Sequence, residues 1–175
     1  DDEPERLLKA AATTRDRLLL LVGFYCGLRV SEITSLEVPD LDFRRRSLRV
    51  NRGKGDKDRV VPLPRFLVNP LRGWVGPRRE GPVFPSRQGG QRLTSRAVQF
   101  LMKRLAQRAG LDRASAPRRC TPHKMRHTYA TRLLQTGADI NEVKNLLGHS
   151  SINTTAVYLH ADPERLRAAV DRLAE

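Results

Sequence analysis

SLRVNRGKGDKDRVVPL, residues 47–63, is the stretch that decides the fold class. SLRV and DRVVPL are short runs of β-type composition, and the NRGKGDK between them carries two glycines, so the stretch predicts an antiparallel hairpin. Helical spacing returns on both sides of it. Upstream, DEPERLLKAA predicts a helix capped by Asp2, with Glu3 and Pro4 in its first turn and Leu7 and Leu8 facing inward. TRDRLLLLVGFYCG predicts a largely buried helix stopped by Gly27, and VSEITSL (30–36) a short one ended ahead of Pro39.

Downstream, residues 65–76 are helical in pattern, and RREGPVFPSRQGG (78–90) is a loop with a short strand expected at Val83 and Phe84. SRAVQFLMKRLAQRAG repeats apolar residues at three and four and closes on Gly110. After the loop RASAPRRC, Thr121 is the expected N-cap of the next helix, with Pro122 at its first position. In ADINEVKNLLG, Asp139 and Glu142 have capping-box spacing and Gly148 supplies the stop. Ser150 or Ser151 is expected to cap a further short helix reaching Tyr158, and Asp162 and Pro163 to start the last helix, PERLRAAVDRLAE. There is no internal repeat, low-complexity tract or domain boundary. The fold predicted is mainly α with one small antiparallel β-sheet, an α+β class, over residues 1–175.

The 175 residues are enough to bury a single core. With 39% hydrophobic residues, no apolar run of membrane-spanning length and an acidic opening DDEPER, the expectation is a soluble, cytoplasmic chain. Cys26 and Cys120 are too few for a disulfide framework and read as packing residues. Charge is more telling: a net +14 attracts a polyanion at long range and points to nucleic acid. Aromatic content of 5% is poor for stacking single-stranded bases and favours contact with a duplex backbone.

HKMRH (123–127) admits three readings. Histidines four apart on a helix can grip zinc, but Lys124 stands where a hydrolase would place its glutamate base, and an arginine lies inside the motif. A pair of satisfied histidines on a basic helix is the plain alternative. The third reading follows from helical geometry: His123, Arg126, His127 and Ala130 share one face, and Met125, Tyr129 and Leu133 another. A guanidinium fork, an imidazole and the amide groups of a helix N-terminus then meet at one point, which makes an anion grip.

Four pieces, GLRVSEI (27–33), GKGDK (53–57), HKMRHTYAT (123–131) and LLGHSSINTTAVYLH (146–160), together resemble the catalytic domain of tyrosine recombinases, the phage integrase family, in its Xer-like branch. The resemblance spans nearly the whole chain in order. It implies Arg29 as first catalytic arginine with Glu32 supporting it, Lys54 as the hairpin lysine, and His123 and Arg126 as the H-x-x-R pair. His149 matches the later histidine, Tyr158 the nucleophile, and His127 an accompanying histidine with a less direct role. The implied activity is site-specific exchange of duplex DNA strands through a covalent 3′-phosphotyrosyl intermediate, without metal or nucleotide cofactor, by subunits assembled as a tetramer on DNA.

The residue types suit that chemistry. Fixed cations at Arg29, Arg126 and His149 would stabilise the extra negative charge of a pentacoordinate phosphorus more than they stabilise the substrate. Tyr158, with an ordinary pKa of about 10, needs a base such as His123. Lys54, one of six lysines in an arginine-rich chain, can donate a proton to the leaving oxygen where a guanidinium cannot. Tyr25 and Tyr129 compete with Tyr158 but fall on apolar helix faces and are expected in the core. Rival readings are a type IB topoisomerase, a non-catalytic DNA-binding module that keeps the fold, and a metal-dependent nuclease.

Two expectations concern the ends. Members of the family usually carry a helical domain ahead of the segment matching DDEPERLLKA, and this sequence has none there, so it is expected to be the catalytic domain alone. In the last helix, Leu166, Ala169, Val170 and Leu173 form an apolar stripe that either packs on its own domain or docks residues 163–175 on a neighbouring subunit.

Overall fold

Local signals set most helix ends. In the computed structural model, which describes residues 3–51, 58–87, 89–111, 121–148 and 163–174, α1 (Glu3–Ala10) leads into α2 (Thr14–Cys26). The Thr13 side chain caps α2 by accepting the Asp16 N–H, and Gly27 ends it in the left-handed conformation. The short α3 (Val30–Ser35) follows, then a single 3-10 turn over Val38–Asp40.

Three strands come next: β1 (Leu41–Asp42), β2 (Ser47–Val50) and β3 (Arg59–Pro62), antiparallel in the order β1-β2-β3. Leu48 lies opposite both Leu41 and Val61, and Val50 opposite Arg59. Strand alternation turns Leu48, Val50, Arg59 and Val61 inward and Arg49 and Val60 outward. The sequence predicts β2 and β3; it does not reveal β1, whose two residues are too few to show a period. The turn behind β1 is nonetheless specified locally, since the Asp42 carboxylate accepts the N–H groups of Arg44 and Arg45.

The expected strand at Val83 and Phe84 does not form. Only the isolated bridges Glu37–Pro82 and Pro85–Arg92 occur there, because prolines on both sides lack the N–H that would extend a ladder. Val83 and Phe84 are instead buried core residues.

Among the described residues, the remaining α-helices are α4 (Arg65–Val75), α5 (Ser95–Arg108), α6 (Pro122–Gln135), α7 (Ile140–Leu147) and α8 (Pro163–Asp171). Thr121 has N-cap geometry and Pro122 the first position of α6, but the Thr121 hydroxyl accepts no capping hydrogen bond. Asp139 and Glu142 form the predicted capping box of α7, which Gly148 ends in the left-handed conformation. Asp2, the 112–120 loop with Cys120, the hairpin tip at 52–57 and the helix expected from Ser150 or Ser151 to Tyr158 lie outside the described residues.

Among the described residues, two apolar clusters fill the interior. The larger joins α1 to α5 and the sheet, with Met125 of α6 inserted; the smaller holds Tyr129 and Leu133 of α6, Val143, Leu146 and Leu147 of α7, and Ala169, Val170 and Leu173 from the tail. Tyr25 touches both. The tail stripe is therefore covered within its own chain. Asp171 adds polar anchors, accepting the Arg65 N–H at the start of α4 and the Arg46 guanidinium at 2.7 Å. No described helix is long and apolar enough to cross a membrane.

Candidate active site

The site begins at the end of α2. Gly27 has φ +63°, and a Cβ there would lie 2.2 Å from Cδ1 of Tyr129, so both backbone conformation and the approach of α6 require glycine. The sharp exit places Arg29 at the N-cap of α3. Glu32, three residues on, reaches back so that its carboxylate accepts the Arg29 N–H at 2.7 Å, the reciprocal half of a capping box.

That carboxylate is the centre of the cluster. Arg59 of β3 donates through both terminal nitrogens, at 2.7 Å to Oε1 and 2.9 Å to Oε2. Arg29 donates a further side-chain bond to Oε1 at 3.1 Å, and Nη1 of Arg126 lies 3.9 Å from Oε2. Three guanidinium groups around one carboxylate leave a local surplus of positive charge. Their exposure is graded: the side chains of Arg59, Arg126 and Arg29 are 2%, 11% and 41% exposed. Arg59 is sealed inside, and Arg29 faces out. Burial pushes the Glu32 carboxyl up, but hydrogen bonds and charge from Arg59 and Arg29 outweigh it and hold the pKa down at about 2.

Arg126 projects from α6 across two chain turns. It donates to the Gly27 carbonyl at 2.8 Å and to the Leu147 carbonyl at the end of α7. Arg59 donates to the neighbouring Leu146 carbonyl at 3.2 Å. Two cations thus satisfy successive carbonyls at a helix C-terminus, where orphan acceptors and the helix dipole favour them. The chain leaves this point through Gly148 toward His149.

Of the residues singled out in the sequence, the structure brings Arg29, Glu32 and Arg126 together. His123 and His127 stand exposed on α6, on the side opposite buried Met125, Tyr129 and Leu133, as helical spacing predicts. Lys54, His149 and Tyr158 lie outside the described residues. Tyr129 is fully buried, and burial first of all pushes its phenol well above the ordinary range. Tyr25 is half-buried, edge-on to Phe66 with ring centres 4.9 Å apart.

Sequence reasoning missed Arg59. Its signal was present: Arg59, Val61 and Leu63 alternate along one strand face, so an arginine in register with buried valine and leucine needs a buried carboxylate, and few acidic residues lie in apolar surroundings.

Comparison with known proteins shows the family. The model of the phage integrase family matches residues 1–165. Tyrosine recombinase XerA of Thermococcus kodakarensis is 39% identical over 177 residues, covering 98% of this chain and 60% of that relative. The crystal structure of XerA recombinase aligns with a TM-score of 0.76 at 31% identity, over 98% of this chain and 63% of that one. XerH site-specific recombinase, bound to its difH substrate in a pre-cleavage complex, gives 0.67 at 28% identity, over 94% of this chain and 50% of that one. This chain spans less than two thirds of the length of each. The chain belongs to the phage integrase family, and tyrosine recombinases of the Xer type are among the relatives it matches.

Proposed function

We propose that this chain is the catalytic domain of a site-specific DNA recombinase, which cleaves and rejoins duplex strands through a covalent 3′-phosphotyrosyl intermediate without metal or nucleotide. The observation that carries the reading is the convergence of Arg29 and Arg126 on one buried carboxylate, Glu32, with positive charge in excess. Such a cluster, rigidly held and partly open, suits an anion that gains charge as it reacts. The family and the net charge of +14 support DNA phosphate as that anion.

In this mechanism the Tyr158 oxygen attacks phosphorus, its proton passing to His123. The bond from phosphorus to the 5′ oxygen breaks, and Lys54 gives that oxygen a proton. Arg29, Arg126 and His149 neutralise the non-bridging oxygens in between, and His127 lines the same helix face. Exchanging one phosphodiester for a phosphotyrosine is close to even in free energy, so a 5′ hydroxyl can reverse the step without ATP. The same oxygen on a second duplex gives exchange, which calls for further subunits, in this reading a tetramer on DNA. The XerH complex with difH supports duplex DNA as the partner.

The test is a nicked duplex that traps the intermediate. A denaturation-resistant adduct is expected with the wild-type chain and absent with Tyr158→Phe, and mass spectrometry should find the nucleotide on residue 158. An adduct on another side chain, or none, overturns the proposal.

A further inference from the structure

Arg59 is an expensive residue for a core position. It sits on the inward face of β3 beside Val61, with only 2% of its side chain exposed. A buried ion pair is often no more stabilising than apolar residues of the same volume. Stability alone is therefore a weak reason for an arginine where strand alternation would accept a valine, and what it touches offers a better one.

Three segments meet at this guanidinium. Both terminal nitrogens clamp the two oxygens of Glu32, whose other hydrogen bonds hold the backbone and side chain of Arg29. The third nitrogen holds the Leu146 carbonyl, next to the Leu147 carbonyl that Arg126 holds. Arg59 itself begins the return strand of the hairpin that carries Lys54. One planar group with fixed donor directions thus ties the hairpin base, the start of α3 and the end of α7 to one another.

We propose that Arg59 is a positioning residue for strand cleavage, fixing Glu32, and through it Arg29, while pinning the end of α7 ahead of His149. It acts only through the protein groups it holds, since its burial keeps it from DNA. The inference rests on the recombinase reading above. A bidentate clamp resists rotation of the carboxylate in a way that a single contact does not, so with Arg59 gone Arg29 keeps its charge and loses its aim.

The test measures single-turnover cleavage of the nicked duplex and equilibrium DNA binding, side by side, for wild type, Arg59→Met, Arg59→Lys, Glu32→Gln and the double variant Arg59→Met with Glu32→Gln. For Arg59→Met, cleavage is expected to slow at least 30-fold while the dissociation constant moves less than threefold. Arg59→Lys retains the charge but cannot hold both Glu32 oxygens and the Leu146 carbonyl at once, so at least tenfold slowing with unchanged binding is expected. It supplies the comparison if the methionine variant does not fold. In the Glu32→Gln background, Arg59→Met should slow cleavage less than fivefold further, because neighbours that act together are not additive.

Wild-type cleavage rates in both Arg59 variants overturn the inference. So does a loss of cleavage matched by an equal loss of binding, or full additivity with Glu32→Gln. Absence of any adduct with the wild-type chain overturns the recombinase reading itself, and this inference with it.

Discussion

Glu32 carries a consequence for pH. Its folded-state pKa lies near 2, below the carboxylate's unfolded value, so its ion pairs contribute stability in full above about pH 4.5 and lose it as pH falls through 2. Glu32→Gln strands Arg59 without its counter-charge and is expected to cost about 3–5 kcal/mol near neutrality. The deficit should shrink as pH falls from about 4.5 to 2, which urea unfolding across that range would measure. Tyr129 makes a second case. Among the described residues its buried hydroxyl has no hydrogen-bond partner. Tyr129→Phe removes that unsatisfied oxygen, so it should leave stability unchanged or raise it by up to about 1 kcal/mol. The same variant should still form the DNA adduct that Tyr158→Phe loses, which separates the two phenols by one gel experiment.

Among the elements, α8 shows how a polar anchor accompanies an apolar stripe. Ala169, Val170 and Leu173 bury against α6 and α7, and Asp171 holds both the first N–H of α4 and the Arg46 side chain. Asp171→Ala removes a cap and a partly exposed ion pair, and a loss of about 1–2 kcal/mol is expected. Faster amide exchange confined to α8 and the start of α4 would locate the effect; uniform protection would refute it. Helix ends were legible wherever the stop or cap is a local matter, as at Gly27, Asp139 and Gly148. Strand β1 and the residues around Val83 were not, because a two-residue strand is too short to show a period and the prolines beside Val83 and Phe84 leave single bridges in place of a ladder.

On the scale of the whole molecule, the net charge bears on the proposed encounter with DNA. A chain of net +14 that neutralises several phosphates releases as many counterions, so raising salt from 50 to 200 mM should weaken duplex binding by about 10³-fold. A shallow dependence, measured by fluorescence anisotropy, would mean that few phosphates are contacted. The amino-acid sequence by itself determined the fold class and those helix ends that a local cap or stop marks, and its charge pointed to a polyanion, because periodicity, caps and charge are properties of neighbouring residues; the support of Arg29 by Glu32 was implied by the family resemblance. Only the tertiary structure decided that Arg59 clamps Glu32 from a strand 27 residues away and that Arg126 and Arg59 jointly hold the end of α7. A side chain's partner across the core depends on how elements pack, and no local spacing encodes that.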